Sequence, residues 1–299
     1  MTKHLFTVVG PTAIGKTALS IQIAQYLNCD IISCDSRQFY KEMRIGTAVP
    51  ETEELAAAQH HFIQNRSIFD SYSVGGFERD ALIKIEELHR SNQHIVMVGG
   101  SGLYVNAVLN GLDYFPDVLP EIRVQLTADL EEKGIQYLQE QLQKLDLDSY
   151  RNIALDNPHR LIRALEVCIG SGKTYSSFKN KPKAARNFKS VQIGLRSDRQ
   201  LMYDRINQRV DIMIHNGLLE EARNLYAHKS LNALQTVGYR ELFSHFDGEI
   251  SLEFAIEEIK KNTRRFAKRQ ITWFKKDPAI TWFDYEVDFE EVKLFIDKQ

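Results

Sequence analysis

The segment with the clearest chemical purpose lies near the amino end of the chain and has the spacing of a phosphate-binding loop. The pattern G-x-x-x-x-G-K-S/T is matched by Gly10-Pro11-Thr12-Ala13-Ile14-Gly15-Lys16-Thr17. Glycines let backbone N–H groups turn inward around phosphate oxygens, Lys16 adds a positive charge, and the Thr17 hydroxyl can bind Mg²⁺. The loop indicates a di- or triphosphate without identifying it, since ATP, GTP or a prenyl diphosphate would fit the same cradle. A glycine turn with an exposed lysine is the structural alternative.

A carboxylate follows the second predicted strand, in the segment Asp35-Ser36-Arg37-Gln38. In a doubly wound sheet, ligands bind beyond the carboxyl ends of the strands, so we expect Asp35 to face the same crevice as Lys16. There it could act as a general base or hold Mg²⁺, while Ser36 and Gln38 could read the edge of a base. An Asp-Ser pair that only forms a turn fits these residues equally well.

Another predicted strand is followed by the turn Gly99-Gly100-Ser101-Gly102, which could bring the Ser101 hydroxyl against the phosphates. A plain tight turn before a helix is the simpler interpretation of these four residues. The pair His60-His61 has no carboxylate partner at ligand spacing, so we interpret it as the end of a strand and not as a metal site.

The last long predicted helix, from about Leu252 to Lys276, has a basic side and an apolar side. On a helical wheel the basic side groups Lys261, Arg264, Arg265, Lys268 and Lys275, and the apolar side groups Ile256, Ile259, Phe266, Trp273 and Phe274. The basic side suits a phosphate backbone. Considered without other evidence, these charges fit the solvated face of a surface helix slightly better.

Two further pairs of arginines lie on single helix faces. Arg160 and Arg163 are three residues apart and could, with His159, touch phosphates. Arg205 and Arg209 are four residues apart and could reach either the phosphate loop or a nucleic acid. We predict that Arg209 binds the diphosphate.

Short apolar runs and helical periodicity together predict the elements that hold these residues. Strands are predicted at Leu5–Val9, Asp30–Cys34, Gln93–Val98 and Val191–Leu195. Helices are predicted at Thr17–Leu27, Phe77–Arg90, Leu103–Leu109 and Asp198 to about Asn216, the last capped by Ser197 and stopped by Gly217. Strands that alternate with helices predict an α/β fold, in which helices cover both faces of a parallel sheet.

The character of the chain changes after Pro116 and Pro120. Residues 121–185 have helical periodicity and no convincing strand, and they end in the basic loop Lys179-Asn180-Lys181-Pro182-Lys183. We therefore predict a catalytic core at 1–119 and 187–299, which includes the C-terminal helices, and a helical insertion at 120–186.

Composition excludes several classes of protein. The chain has 299 residues, 43% of them hydrophobic and 26% charged, as in a globular protein. Its net charge of −2 argues against non-specific nucleic-acid binding by the whole molecule. Cys29, Cys34 and Cys168 form neither a disulfide framework nor a metal spacing, which predicts buried thiols in a reducing cytoplasm. We expect neither a signal peptide nor a membrane span, since no apolar run is long enough.

Several segments together resemble the tRNA dimethylallyltransferases, the isopentenyl transferases that modify the adenosine beside the anticodon. The resemblance is spread over nearly the whole chain and is more specific than the phosphate loop. The matching segments are GPTAIGKT at 10–17, DSRQFY at 35–40, IGTAVP at 45–50, HHF at 60–62, YSVGGFERDA at 72–81, VGGSGLY at 98–104, NPHRLIRALEV at 157–167, TVGYRE at 236–241 and RRFAKRQITWF at 264–274.

The resemblance implies a nucleotide-kinase-like core of the P-loop type with a helical insertion. It also implies dimethylallyl diphosphate as donor, with its pyrophosphate on residues 10–17 and Mg²⁺ near Thr17. Asp35 would be the general base on the adenine N6 amine, with Lys16 stabilising the leaving group and Ser101 in the transfer channel. Residues expected to contact tRNA are Asp35, Ser36, Arg37, Gln38, Ser101, Arg123, His159, Arg160, Leu161, Ile162 and Arg163, to which the basic helix adds Arg264 and Lys268.

The chain departs from the family pattern at a few positions. Ser101 stands where the family usually has threonine, so the hydroxyl is kept. Phe39 stands in place of a small aliphatic residue and Val49 in place of lysine. The region before Pro158 matches weakly, and the cysteines of a C-terminal zinc finger, which some relatives carry, are missing.

Two other classes of function compete with a prenyl transferase acting on tRNA. An ATP-dependent small-molecule or nucleotide kinase would use the same loop, but it usually carries an arginine-rich lid, and the arginines of this insertion are few and scattered. A non-catalytic RNA-binding switch would use a nucleotide as ligand. We expect a monomer with no obligate protein partner.

Overall fold

A single parallel sheet of six strands forms the centre of a computed structural model that describes residues 2–181 and 184–299. The strands are β1 (His4–Val9), β2 (Ile31–Ser33), β3 (His60–His61), β4 (His94–Gly99), β5 (Lys189–Arg196) and β6 (Ile280–Asp284). They lie in the order β3-β2-β4-β1-β5-β6, and every neighbouring pair is parallel. β1 is therefore central, and all six of its residues are buried. The predicted α/β fold is confirmed.

Twelve α-helices of the described residues complete the fold. In the part that contains the sheet they are α1 (Lys16–Leu27), α2 (Thr52–Ala57), α3 (Val74–Leu88) and α4 (Gly102–Asn110), then α8 (Arg199–His215), α9 (Leu218–Leu225), α10 (Tyr239–Phe246), α11 (Leu252–Phe274) and α12 (Phe289–Ile296). Between these groups lie α5 (Pro120–Leu145), α6 (Leu147–Asn152) and α7 (Pro158–Ser171).

Both faces of the sheet are covered, as the near-continuous apolar strands require. On one face Leu5 and Ile95 pack with Phe77 of α3 and Val108 of α4. On the other face the alternate strand residues pack against α1 and α12, in a cluster that contains Phe6, Val8, Val96, Ile23 and Val292. This packing fixes the carboxyl ends of β1, β2 and β4 at one edge of the sheet.

The chain divides into two compact units. One comprises the chain up to Asn110 and Arg186–Gln299, and the other comprises Gly111–Ala185. The second unit is helical in its described residues, and its core contains Leu126 and Leu138 of α5 with Leu161 and Leu165 of α7. Of the predicted basic loop at its end, Pro182 and Lys183 lie outside the described residues.

Several boundaries and elements differ from the sequence prediction. α3 begins at Val74, before the predicted Phe77, because the Ser73 side chain accepts a hydrogen bond from the Gly76 N–H. The prediction that Ser197 caps α8 is wrong, since the Asp198 carboxylate accepts the N–H groups of the first turn. The elements that no sequence signal predicted are α2, α9, α10, β6 and α12.

The three cysteines are free and buried, as predicted. Burial raises the pKa of Cys29 to about 12 and also raises the pKa of Cys34 and Cys168. These thiols therefore stay protonated and fill the core as small apolar groups.

Three imidazoles are packed at the amino ends of the central strands. The His4 and His94 rings lie 5.4 Å apart, and His89 lies nearby against Phe188. Neither ring nitrogen of His4 has a hydrogen-bond partner among the described residues, and the same is true of His89 Nε2 and His94 Nδ1. Burial lowers the pKa of His89 and His94, because the charged form would lose its hydration.

We expect the free energy of unfolding to fall as the pH drops below about 6.5. In that range His89 and His94 bind protons in the unfolded chain, whereas burial keeps both neutral in the folded protein. Stability should be constant just above that pH. Urea unfolding between about pH 7.5 and pH 5 measures the slope, and His94→Gln should reduce it. The exposed His215→Gln is the control, and an equal slope in all three proteins would contradict the prediction.

Candidate active site

The phosphate loop connects the central strand to the first helix. Gly10 and Gly15 have φ values of 149° and 104°, in a region that side chains disfavour, so glycine is needed at both ends of the loop. α1 begins at Lys16 and has no acidic residue in its first turn, which leaves its positive dipole end open to an anion. The Lys16 ammonium donates to the Pro11 carbonyl, 2.7 Å away, and lies folded over the loop.

The turns that follow β2 and β4 are joined by hydrogen bonds. The Ser101 Oγ accepts from the Ser36 N–H at 3.2 Å, and the two serine hydroxyls are also 3.2 Å apart. The Asp35 carboxylate accepts the Arg37 N–H at 3.2 Å. A Cβ on Gly99 would lie 2.5 Å from Cys34 Sγ, so a glycine here permits the close approach of the two turns.

Two cavities meet at these turns. The first, which we call the loop cavity, has a volume of about 610 Å³ and is lined by the phosphate loop together with Ser33, Asp35 and Glu54. The second, which we call the helix cavity, has a volume of about 520 Å³ and is lined by Ser36, Ser101, Phe266 and Trp273 among others. Residues that line both are Thr12, Asp35, Thr47, Ala48, Arg209 and Met213. Asp35 therefore stands where the two cavities join.

Two cations face the carboxylate at this junction. Burial lowers the pKa of Lys16 to about 8, although the attraction of Asp35 opposes the shift. Burial also lowers the pKa of Arg209, again against the attraction of Asp35 and of Glu54. Both cations lose hydration, and no carboxylate of the described residues forms an ion pair with either of them. An anionic ligand here would therefore be stabilised.

The polar neighbours of Asp35 are tied to the protein backbone. Arg37 Nη1 donates to the carbonyls of Asn232 and Ala233, both at 2.9 Å. Gln38 Nε2 donates to the carbonyls of Thr47 and Ala48. The structure places Arg37 at the helix cavity and Gln38 at the loop cavity.

The loop that contributes Thr47 and Ala48 to both cavities is held by one carboxylate. Glu221 accepts the consecutive N–H groups of Arg44, Ile45 and Gly46 at 2.8–2.9 Å, and the Tyr239 hydroxyl at 2.6 Å. A Cβ on Gly46 would lie 2.6 Å from the Tyr239 ring, so this contact requires glycine. Nothing in the local sequence marks Glu221 as the partner of a distant loop, so this role was not predicted.

The apolar side predicted for α11 packs only partly in the core, so that prediction is partly wrong. Phe266 and Trp273 are 39% and 46% exposed and line the helix cavity, because α11 forms a cavity wall where a continuous core was expected. The buried stripe of the helix contains Ala255, Ile259, Ala267, Gln270 and Phe274.

Some basic side chains of α11 are bonded to other residues of the protein, and others are exposed to solvent. Lys261 pairs with Glu258, and Arg264 donates to the Asn207 side chain at 2.5 Å. Lys268 and Lys275 are exposed, so they are the more accessible charges for an anionic partner.

A buried carboxylate organises the arginines of the helical unit. Glu166 is 2% exposed and bonds Arg123 through both oxygens at 2.7 Å, and it also bonds Arg163 at 2.5 Å. His159 and Arg160 are exposed. The side chains of Leu161 and Ile162, which the resemblance implies lie in the tRNA-contacting segment, are buried in the core of the unit and hold α7 in place.

The two family departures near the turns are core residues. Phe39 stacks on Phe77 with ring centroids 5.1 Å apart, and Val49 is 5% exposed. The His60-His61 pair forms β3, where His61 Nε2 lies 2.8 Å from the Asp30 carboxylate. Among residues 2–181 and 184–299, no three His, Cys, Asp or Glu side chains are grouped to hold a metal.

The fold and this site define a P-loop α/β enzyme with a second cavity beside the phosphate loop. Residues 38–277 match the family model described as IPP transferase. The chain belongs to the IPP transferase family.

The chain is similar to proteins named tRNA dimethylallyltransferase over nearly their whole length. The chain is 61% identical to a tRNA dimethylallyltransferase of Flavobacterium psychrophilum, over 97% of this chain and 96% of the relative. It is 45% identical to tRNA dimethylallyltransferase 1 of Bacteroides fragilis, over 96% of each.

The chain is also similar to solved structures of transferases that carry these names. The tRNA isopentenylpyrophosphate transferase of Bacillus halodurans is 38% identical, with a TM-score of 0.73 over 99% of this chain and 95% of that one. A eukaryotic dimethylallyltransferase described as acting on tRNA is 27% identical, with a TM-score of 0.82 over 95% of this chain and 74% of that one. Among the described helices, none has the length and hydrophobicity that crossing a bilayer requires.

We expect the affinity for an alkyl diphosphate to fall as the pH rises through about 8, because Lys16 then loses the proton that an anion needs opposite it. The loss should approach about tenfold per pH unit. Calorimetry with a saturated five-carbon alkyl diphosphate, whose own ionisation is nearly complete at neutral pH, measures this change. Lys16→Met should bind weakly at every pH, whereas a flat profile for the unchanged protein would refute the assignment.

We expect Glu166→Gln to lower the free energy of unfolding by about 1–2 kcal/mol. The half-exposed Arg123 and Arg163 would each lose the ion pair with a buried carboxylate. The resemblance implies that Arg123 and Arg163 contact tRNA, so we expect tRNA binding to weaken when both lose their fixed orientation. Urea unfolding and fluorescence anisotropy measure the two effects. Glu131→Gln on the exposed face of α5 makes the same change in charge and should alter neither. Tighter tRNA binding by both variants would show that only net charge matters.

Proposed function

We propose that this chain transfers a dimethylallyl group from dimethylallyl diphosphate to the N6 amine of the adenosine adjacent to the anticodon, position 37 of the tRNA, and releases pyrophosphate. The observation that carries the proposal is the junction of two cavities at Asp35. One cavity offers a phosphate loop and two cations, and the other offers aromatic and basic side chains to a base.

The donor half of the reaction depends on stabilising the leaving group. As the allylic C–O bond breaks, negative charge grows on the pyrophosphate. The loop N–H groups, Lys16 and Arg209 lie in a partly dehydrated cavity, where such charge is stabilised more strongly than in water. The same residues, Gly10 to Thr17 with Arg209, form the proposed diphosphate site.

The acceptor half needs a base. The N6 amine is a weak nucleophile, so its proton must leave as the new N–C bond forms. Asp35 lines both cavities and is therefore placed to take that proton between donor and acceptor. The Ser101 hydroxyl accepts a hydrogen bond from the Ser36 N–H and so fixes the turn that carries the Asp35 carboxylate. The same hydroxyl can bond the adenine.

Mg²⁺ fits the loop cavity. Thr17 lines it together with the oxygen-bearing side chains of Ser33 and Asp35, and hard oxygen ligands are those that Mg²⁺ prefers. When bound, the ion would supply positive charge to the pyrophosphate oxygens. Thr17 is the residue we assign to hold it.

The tRNA must present an unstacked base, because the junction lies inside the protein. We assign phosphate contacts to the exposed His159 and Arg160, to Arg123 and Arg163 on Glu166, and to Arg264 and Lys268 on α11. Residues 120–186 form the proposed tRNA-contacting insertion of a core made of residues 1–119 and 187–299. We propose that the enzyme acts as a monomer in the cytoplasm.

The kinase alternative shares the phosphate loop but needs a phosphoryl acceptor. Membership of the IPP transferase family favours prenyl transfer. Two labelled donors distinguish the activities: label from dimethylallyl diphosphate should appear in tRNA, whereas label from ATP should reach no acceptor. Transfer from ATP alone would overturn the proposal.

We expect Asp35→Asn to slow prenyl transfer by roughly 10²–10⁴-fold, because the general base is lost while the shape of the side chain is kept. Binding of tRNA, measured by anisotropy, should change little. Asp297→Asn, on the exposed carboxyl end of α12, is the matched control and should transfer normally. Near-normal transfer by Asp35→Asn would remove Asp35 as the base.

A further inference from the structure

One buried amide connects the phosphate loop to the turn that carries Ser101. Gln270 is 5% exposed and projects from α11. Its Oε1 accepts the Thr12 N–H at 2.9 Å, and its Nε2 donates to the Gly100 carbonyl at 2.9 Å. The amide oxygen therefore bonds the phosphate loop, and the amide nitrogen bonds the turn before Ser101.

The two bonded backbone groups belong to the two halves of the proposed reaction. Thr12 lies in the diphosphate loop, and Gly100 directly precedes Ser101, which in turn holds Ser36 next to Asp35. A Cβ on Gly100 would lie 2.2 Å from Gln270 Nε2, so the contact between the amide and this turn requires glycine. The separation of the loop and the turn is thus set by the length of one planar amide.

We propose that Gln270 is a positioning residue that fixes the distance and angle between the diphosphate and the base-carrying turn. The proposal rests on the proposed function, since it concerns the alignment of the two substrates of that reaction. Alignment to within a fraction of an ångström matters here, because a misplacement of about 1 Å can slow a reaction by roughly a hundredfold.

Glutamine is suited to this position by its chemistry. An amide offers one acceptor and two donors at a fixed spacing, and the partners here are an N–H group and a C=O group. A leucine of similar size would fill the space but leave both backbone groups without partners. An ionised glutamate would keep the bond from Thr12 but would repel the Gly100 carbonyl, whereas a protonated glutamate would restore both bonds.

The test uses Gln270→Leu and Gln270→Glu in the full chain. For Gln270→Leu we expect kcat for prenyl transfer to fall roughly tenfold to a hundredfold, with tRNA affinity within about twofold of the unchanged protein. For Gln270→Glu we expect the ratio of its kcat to that of the unchanged protein to rise as the pH falls from about 8 to about 6, because the buried carboxyl becomes protonated. A residue that only fills the core would not produce this pH-dependent recovery.

Thr272→Val, on the exposed side of the same helix, is the control and should keep normal kcat. If Gln270→Leu does not fold, which circular dichroism would show, the pH profile of Gln270→Glu decides alone. A kcat of Gln270→Leu close to normal, or a ratio for Gln270→Glu that does not vary with pH, would overturn the inference. A lack of transfer by the unchanged protein would instead contradict the proposed function.

Discussion

Positive charge confined at the carboxyl end of the central strand is the constraint on which the site depends. Lys16 and Arg209 lose hydration there, and the positive end of α1 points to the same place. Keeping such charge in place requires rigid walls, and an anion that binds there offsets part of the lost hydration. The parallel sheet supplies that rigidity, because β1 is buried along its whole length between two strands.

The parallel sheet also explains why functional residues from distant parts of the sequence lie close together. Parallel strands end at one edge, so the residues after β1, β2 and β4 become neighbours although they are far apart in the chain. Glycine at positions 99 and 100 lets the turns approach, and hydrogen bonds from Ser101 and Gln270 then fix their spacing. The junction of the two cavities follows from this arrangement of turns.

Local signals made four strands of the sheet, the phosphate loop and the placement of Asp35 predictable from sequence. A buried strand, a glycine and a capped helix each depend on nearby residues, although Asp198 shows that adjacent caps are easily confused. Gln270 and Glu221 were missed because their roles arise from long-range packing. A polar residue within the buried stripe of α11 was the available signal for Gln270. Phe266 and Trp273 were misassigned because a helical wheel cannot distinguish a core from a cavity wall.

The carboxylate of Glu221 has a consequence for the product of the reaction. Three successive backbone N–H groups that point the same way form a concave anion receptor, and here that receptor already has a resident acid from the protein itself. The amides of Arg44, Ile45 and Gly46 are therefore already bonded, and they do not compete with the phosphate loop for released pyrophosphate.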